Sequence, residues 1–184
     1  MKNISYHIFL ILLFPLSVLS QDKYYTKSGR ITFYSATAME HIEAINKTVT
    51  SVIDTKSGDL QFAVLMKGFE FRKALMQEDF NDTYVESSKY PRSTFKGKIV
   101  NNEAVNYAVN GTYPVKATGL LLLHGISRMV TTPGSITVDN GKLVLNAQFD
   151  ILLTDYKIAI PALVSDKISK SIKITVQCKL DPFK

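Results

Sequence analysis

The sequence predicts an all-β protein, a single antiparallel barrel of about eight strands with a short helical insertion. The first observation is an apolar period of two, which is typical of strands with one buried face. It is clearest over residues 143–153, where every second residue is apolar and three of the five between them are polar; the apolar series is Leu143, Leu145, Ala147, Phe149, Ile151 and Leu153. The second is that turn signals such as Asn110-Gly111 and Asp139-Asn140-Gly141 separate the apolar runs. Many antiparallel strands in one domain leave exposed edges, and closing the sheet into a barrel removes them.

The same alternation locates the strands along the chain. They are predicted at 30–38, 41–54, 59–70, 92–100, 103–112, 115–124, 126–138, 142–153 and 167–179. These nine segments correspond to about eight strands when 126–138 and 142–153 are counted together as one hairpin. A barrel of this size is either filled by its own side chains or holds one small ligand. The inward faces are apolar in either case, so the period alone leaves both possibilities open.

Two segments depart from the period of two. Met76, Phe80 and Tyr84 recur every four residues, which predicts a short amphipathic helix over residues 73–84. Residues 155–166 contain Pro161, which is unsuited to a central strand, so a turn or short helix is expected there.

The first twenty residues indicate a secretory signal peptide. Lys2 precedes an apolar run from Ile8 to Leu19, and Ser20 supplies a small residue before the cleavage point. The run is shorter than the ~20 residues that a membrane anchor needs. We therefore expect cleavage after Ser20, one domain over residues 21–184, and a location in the periplasm or outside the cell. No later segment is apolar enough over such a length, so the protein is not expected to span a membrane.

Composition excludes several classes of protein. The chain has 22 Lys and Arg against 16 Asp and Glu, and these charges are mixed along it. Without a basic run or a basic helix interleaved with aromatics, no nucleic-acid partner is expected. Cys178 is the single cysteine, so no internal disulfide can form. It follows Ile172, Ile174 and Val176 in one alternation, which predicts a buried thiol that acts as a small apolar group.

The sequence offers no catalytic or metal-binding constellation. Once the predicted signal peptide is removed, the remaining histidines are His41 and His124. His124 could act as a general base with Asp155 and a serine, but no Gly-x-Ser-x-Gly elbow is present. The alternative is that His124 fixes a turn by hydrogen bonding. The acidic residues of 73–84 lack the spacing of a calcium loop, and one cysteine with two distant histidines makes no zinc pattern. We therefore predict neither an enzyme nor a metal site.

Three ordered motifs together carry a resemblance to a known family. The first joins residues 75–80, Leu-Met-Gln-Glu-Asp-Phe, to residues 90–97, Tyr-Pro-Arg-Ser-Thr-Phe-Lys-Gly. The second is the hairpin sequence Ala-Thr-Gly-Leu-Leu-Leu-Leu-His-Gly-Ile-Ser-Arg at 117–128. The third is Phe-Asp-Ile at 149–151 followed by Asp-Tyr-Lys-Ile at 155–158. Together they cover most of the chain from about residue 30 to residue 180, and they resemble the motifs of the YceI-like family.

This resemblance implies a lipocalin-like barrel that holds a polyisoprenoid or another long amphiphile, such as an isoprenoid quinone or a fatty amide. No cofactor other than such a ligand is expected. The predicted ligand-contacting wall consists of Phe33, Leu60, Phe62, Val64, Phe95, Ile99, Leu121, Leu123, Leu145, Phe149, Ile151, Ile174 and Val176. Arg72 and His124 are the candidates to meet a polar head group. Two alternatives stay open: a solid barrel that binds a partner through its surface, and a lipid-acting enzyme with His124 as base.

Overall fold

The computed structural model describes residues 22–183, so the predicted signal peptide lies outside the described residues. Within this range the chain forms strands and one short α-helix. The elements are β1 (Lys23–Ala36), β2 (His41–Asp54), β3 (Asp59–Leu65), β4 (Phe69–Phe71), α1 (Ala74–Asp79), β5 (Arg92–Ile99), β6 (Gly111–Leu123), β7 (Ile126–Asp139), β8 (Lys142–Leu152) and β9 (Ser171–Pro182). No helix in this range has the length and apolarity to cross a bilayer.

The strands form a closed antiparallel barrel. Their order around it is β1-β2-β3-β5-β6-β7-β8-β9, and β9 pairs with β1 to complete the circle. The short strand β4 pairs with β2 alongside β3 and extends that side of the wall. The predicted fold, an all-β barrel of about eight strands with a short helical insertion, is confirmed.

The connections between strands gather at two ends of the barrel. We call the end that carries the longer connections the mouth; its connections are residues 37–40, 66–91, 124–125 and 153–170. The opposite end, which we call the closed end, has the connections 55–58, 100–110 and 140–141. The predicted irregular stretch at 155–166 is confirmed as part of a mouth connection, with short 3₁₀ turns at Leu153–Tyr156 and Ala162–Val164.

The strand predicted at 103–112 is wrong. Asn102–Ala104 form a 3₁₀ turn, and β6 begins only at Gly111. Val105 is buried, and Tyr107 packs against the core. Their spacing imitates a strand, but both belong to a connection folded against the closed end. We call residues 100–110 the plug.

Other strand boundaries shift for identifiable reasons. β1 begins at Lys23 rather than residue 30, because a bulge between Thr26 and Gly29 exposes two residues in succession and hides the period. The run predicted at 59–70 is divided by a 3₁₀ turn at Met66–Gly68. The last strand begins later than expected, at Ser171, and continues to Pro182.

Cys178 allows a direct check of the packing between β1 and β9. The thiol is fully buried, and its Sγ fills the space beside Gly29, where any Cβ would collide with it. Burial raises the pKa of Cys178 to about 11, so little reactive thiolate forms near neutral pH. We expect the native protein to resist a thiol reagent at pH 8 and to react fully once unfolded in denaturant. Rapid labelling of the native protein would contradict this packing.

Candidate ligand-binding cavity

A cavity of about 320 Å³ lies inside the barrel and extends towards the mouth. All of the predicted wall residues line it: Phe33, Leu60, Phe62, Val64, Phe95, Ile99, Leu121, Leu123, Leu145, Phe149, Ile151, Ile174 and Val176. Their inward direction follows from the strand pleat, since alternate residues point to the same face. Contact between these residues and a ligand stays a prediction.

Neighbouring strands place their apolar residues side by side on the wall. Phe149 on β8 lies opposite Ile174 on β9, and Ala147 lies opposite Val176. On the other side of the barrel, Phe62 on β3 is paired with Phe95 on β5, and their rings meet edge to face at 6.3 Å. The interior surface is therefore mostly hydrocarbon and aromatic carbon, which suits an apolar guest.

The predicted helix over 73–84 packs across part of the mouth. It consists of α1 followed by a π-helical turn at Phe80–Tyr84, and Met76, Phe80 and Tyr84 all line the cavity as their spacing predicted. The ring of Phe80 sits among three other phenylalanines, at centroid distances of 5.4 Å from Phe33, 5.6 Å from Phe69 and 5.0 Å from Phe71.

Polar contacts hold α1 in this position. Lys73 and Glu40 form an ion pair at 2.9 Å across the mouth. The backbone N–H of Phe71 donates a hydrogen bond to Gln77 Oε1 at 3.2 Å. The helix has only a few turns, so this docking rather than intrinsic helix propensity stabilises it.

The charged residues on the cavity lining differ from those predicted. They are Glu40, Asp79 and Lys167, which come from three different mouth connections. Arg72 is exposed and His124 is partly buried, and the structure places neither on the cavity lining. Sequence reasoning missed the three lining charges because loop residues follow no period that marks their direction. Among residues 22–183, no group of His, Cys, Asp or Glu side chains could hold a metal ion.

His124 joins two mouth connections. Its Nδ1 lies 2.9 Å from the carbonyl oxygen of Tyr156, and its Nε2 lies 2.7 Å from Glu86 Oε2. Both partners are oxygen atoms, so a ring that carries a proton on each nitrogen can donate to both of them. The Tyr90 ring packs edge-on at 4.6 Å, and the backbone of His124 adopts a left-handed φ of 50° in the β6–β7 turn. This geometry matches the turn-fixing alternative rather than a base directed at a ligand.

The His124 contact predicts a pH dependence for the stability of the mouth. The hydrogen bond from His124 is the main cause that lowers the pKa of Glu86, with smaller contributions from Lys89. A carboxylate whose pKa is lowered by folding stabilises the native state above its unfolded pKa, and this contribution disappears as the pH falls through the folded value. We therefore expect Glu86→Gln to lower Tm at pH 7 and to have little effect well below pH 4.

The matched control is Glu78→Gln, on the exposed face of α1. It removes the same charge from the same connection without touching His124. A drop in Tm that is equal for both variants, or that persists for Glu86→Gln at acid pH, would show that the His124 contact does not stabilise the mouth.

The comparisons with known proteins agree with this architecture. A family model for the YceI-like domain matches residues 23–180. The chain is similar to a polyisoprenoid binding domain from Saccharophagus degradans implicated in plant cell wall breakdown, with 14% identity, a TM-score of 0.77, and coverage of 89% of this chain and 99% of that one. It is also similar to Burkholderia cenocepacia BcnA, with 14% identity, a TM-score of 0.68, and coverage of 83% and 95%.

A Campylobacter jejuni YCEI protein is similar over 100% of both chains, with 15% identity and a TM-score of 0.57. Comparison with curated proteins gives no match. At these identities the structural neighbours share the fold, and the lining of the cavity has to be argued from this chain's own residues.

Proposed function

This chain belongs to the YceI-like domain family, and we propose that it binds a long-chain isoprenoid-like or fatty amphiphile inside its barrel. The observation that carries the proposal is the apolar cavity of about 320 Å³ that extends to the mouth. Each methylene group transferred from water into such a cavity contributes about 0.8 kcal/mol. A structural neighbour described as a polyisoprenoid binding domain supports the same class of ligand.

The position of the charges supports an amphiphile rather than a plain hydrocarbon. Glu40, Asp79 and Lys167 belong to mouth connections, whereas the wall below them is formed by strand residues such as Phe149 and Ile174. A tail in the barrel would leave a polar head group beside these charges, where water still solvates it. Such a division between an apolar body and a few polar groups is typical of small-molecule sites.

We further propose that the protein works outside the cytoplasm, in the periplasm or secreted. The support is the predicted signal peptide with its cleavage after Ser20. A carrier in an aqueous compartment would shield a tail that water does not dissolve. Fractionation of cells that express the full chain, followed by the mass of the mature protein, tests both the cleavage and the location.

The two alternative functions fit the geometry less well. A solid barrel needs an interior filled by its own side chains, whereas this barrel contains a cavity of about 320 Å³. A lipid-acting enzyme with His124 as base needs a free ring nitrogen beside the ligand. Both ring nitrogens contact protein acceptors instead, and His124 is not on the cavity lining.

Native mass spectrometry of the protein purified from its own cells, followed by organic extraction, tests the proposal. We expect a stoichiometric adduct of a long-chain amphiphile. A second measurement adds quinones, polyprenols and fatty amides to the delipidated protein, and a ligand that binds the native state must raise Tm. A clean protein mass together with no rise in Tm for any of these compounds would overturn the proposal.

A further inference from the structure

Three large apolar side chains are exposed to water at the mouth. Among residues 22–183, the most exposed side chains of this kind are Leu163 at 91%, Leu75 at 68% and Met39 at 67%. They belong to three different mouth connections. Single apolar residues scattered over a surface are common, but the three most exposed ones all lie at the same end of this barrel. We call these three side chains the rim.

The rim lies beside the cavity. Each rim residue directly precedes a residue that lines the cavity, and these lining neighbours are Glu40, Met76 and Val164. The rim side chains themselves do not line it, so they lie on the outside of the loops that form this part of its wall. Water therefore covers apolar groups close to the place where the proposed ligand enters the barrel.

The charges of the mouth connections nearly cancel. Together these four connections contain seven Lys and Arg against eight Asp and Glu. Some of these charges are paired within the protein, as in the contact between Lys73 and Glu40. The mouth as a whole therefore gains little from a strongly anionic surface, whereas a surface of balanced charge can approach it without repulsion.

We propose that the rim docks on the surface of a phospholipid bilayer of balanced charge, with the mouth facing the lipid. The inference rests on the proposed function and adds the partner with which the ligand is exchanged. Apolar side chains on a protein surface can enter the boundary between head groups and acyl chains to a depth of about 5–10 Å. A tail then moves between bilayer and cavity without exposing its methylene groups to water, which would be costly.

Two other occupants fit the rim less well. A second copy of the chain seated on the rim would obstruct the mouth, through which the ligand has to pass. A protein partner would bury the centre of its interface, which is depleted of charged residues in stable complexes. Here the exposed charged residues Lys73 and Asp166 lie within three positions of a rim residue in the chain. A fluid bilayer surface solvates such charges among its head groups while the apolar tips go deeper.

Flotation with phosphatidylcholine vesicles tests the docking on delipidated protein from its own cells. The rim variant, which combines Met39→Gln, Leu75→Gln and Leu163→Gln, should bind the vesicles at least about 30-fold more weakly, with about threefold from each side chain. Glutamine is a good helix former and suits α1, and thermal unfolding establishes that the variant is folded. Val109→Gln, an exposed position at the closed end, is the matched control and should bind like the unchanged protein. All of these proteins share one N terminus, so their differences report the rim.

A fluorescent label on the rim reports contact with lipid directly. Leu163→Cys takes a polarity-sensitive label, while Cys178 should stay unlabelled in the native protein because it is fully buried. The emission should shift to shorter wavelength when phosphatidylcholine vesicles are added. The same label on Val109→Cys should not respond. An unchanged emission from the label on Leu163→Cys would overturn the proposal.

The flotation outcomes are equally decisive. Docking through the rim is overturned if the unchanged protein does not float with the vesicles, if the rim variant floats equally well, or if binding requires anionic lipid. A loss caused by Met129→Gln, on β7, and not by the rim variant would place the contact on the side of the barrel instead. A dimer that the rim variant abolishes, without vesicle binding, would assign the rim to a second copy of the chain.

Failure of docking is distinguishable from failure of the proposed function. The rim does not line the cavity, so the rim variant should still show a rise in Tm with a quinone, polyprenol or fatty amide that stabilises the unchanged protein. Loss of vesicle binding with this rise retained concerns docking alone. Absence of any rise in the unchanged protein, with no lipid adduct, would overturn the proposed function itself.

Discussion

Phe149→Asp is expected to weaken binding of the lipid by at least about 100-fold while the barrel remains folded, a loss of about 2.7 kcal/mol. The Phe149 side chain is only partly buried because it borders the cavity, opposite Ile174. In the empty cavity, water that enters from the mouth can solvate the new carboxylate. A bound tail would displace that water, and a charge without a partner in an apolar site costs several kcal/mol. Titration with the amphiphile recovered from the native protein measures the effect.

Two controls on β8 isolate the charge inside the cavity. Phe149→Leu keeps the wall apolar and should retain most of the affinity. Gln148→Asp places the same charge on the exposed outward face and should change affinity little. If Phe149→Asp is folded by thermal unfolding and still binds as tightly as the unchanged protein, the tail does not lie against this wall.

The wall of the cavity was predictable because it depends on a strictly local rule. A strand that is buried on one face alternates along its whole length, so Phe62 on β3 and Leu145 on β8 could be assigned to the interior without knowing which strands are neighbours. The helical face of Met76, Phe80 and Tyr84 was found in the same way, from a different period. Neither period shows whether the interior is filled or hollow, since both arrangements need inward apolar residues.

The plug and the charged lining lay beyond this local rule. Val105 and Tyr107 have the spacing of a strand, but the plug buries them by folding a loop against the barrel end, where a side chain is enclosed whatever its backbone does. Glu40 and Lys167 line the same cavity only because the barrel closes and brings distant connections to one end. His124 was noticed for its chemistry, but its partners Glu86 and Tyr156 are 38 and 32 residues away in the chain. These contacts depend on closure of the barrel, so the pattern of a single strand does not predict them.

The largest effect on stability is expected where two glycines face each other on β5 and β6. Gly97 and Gly119 are paired in register, and a Cβ added to Gly119 would lie 2.5 Å from the Cα of Gly97 and 2.8 Å from Phe95 Cζ. A Cβ on Gly97 would collide with the carbonyl oxygen of Thr118. Backbone atoms on both sides cannot yield as a flexible side chain can. We therefore expect Gly97→Ala to lower the free energy of unfolding by about 2–4 kcal/mol.

Chemical denaturation with an unchanged m-value measures this effect, and Gly111→Ala is its matched control. Gly111 begins the same strand, β6, and a Cβ there would lie at an ordinary contact distance of 3.5 Å from Tyr113. It should therefore cost far less than Gly97→Ala. Gly119→Ala adds a second readout, because its new methyl group also pushes on the Phe95 ring. Phe95 lines the cavity, so we expect this variant to bind the lipid more weakly when it still folds. Equal stability of the Gly97 and Gly111 variants would mean that β5 and β6 can separate at this point without cost, and that the contact between the two glycines does not stabilise the barrel.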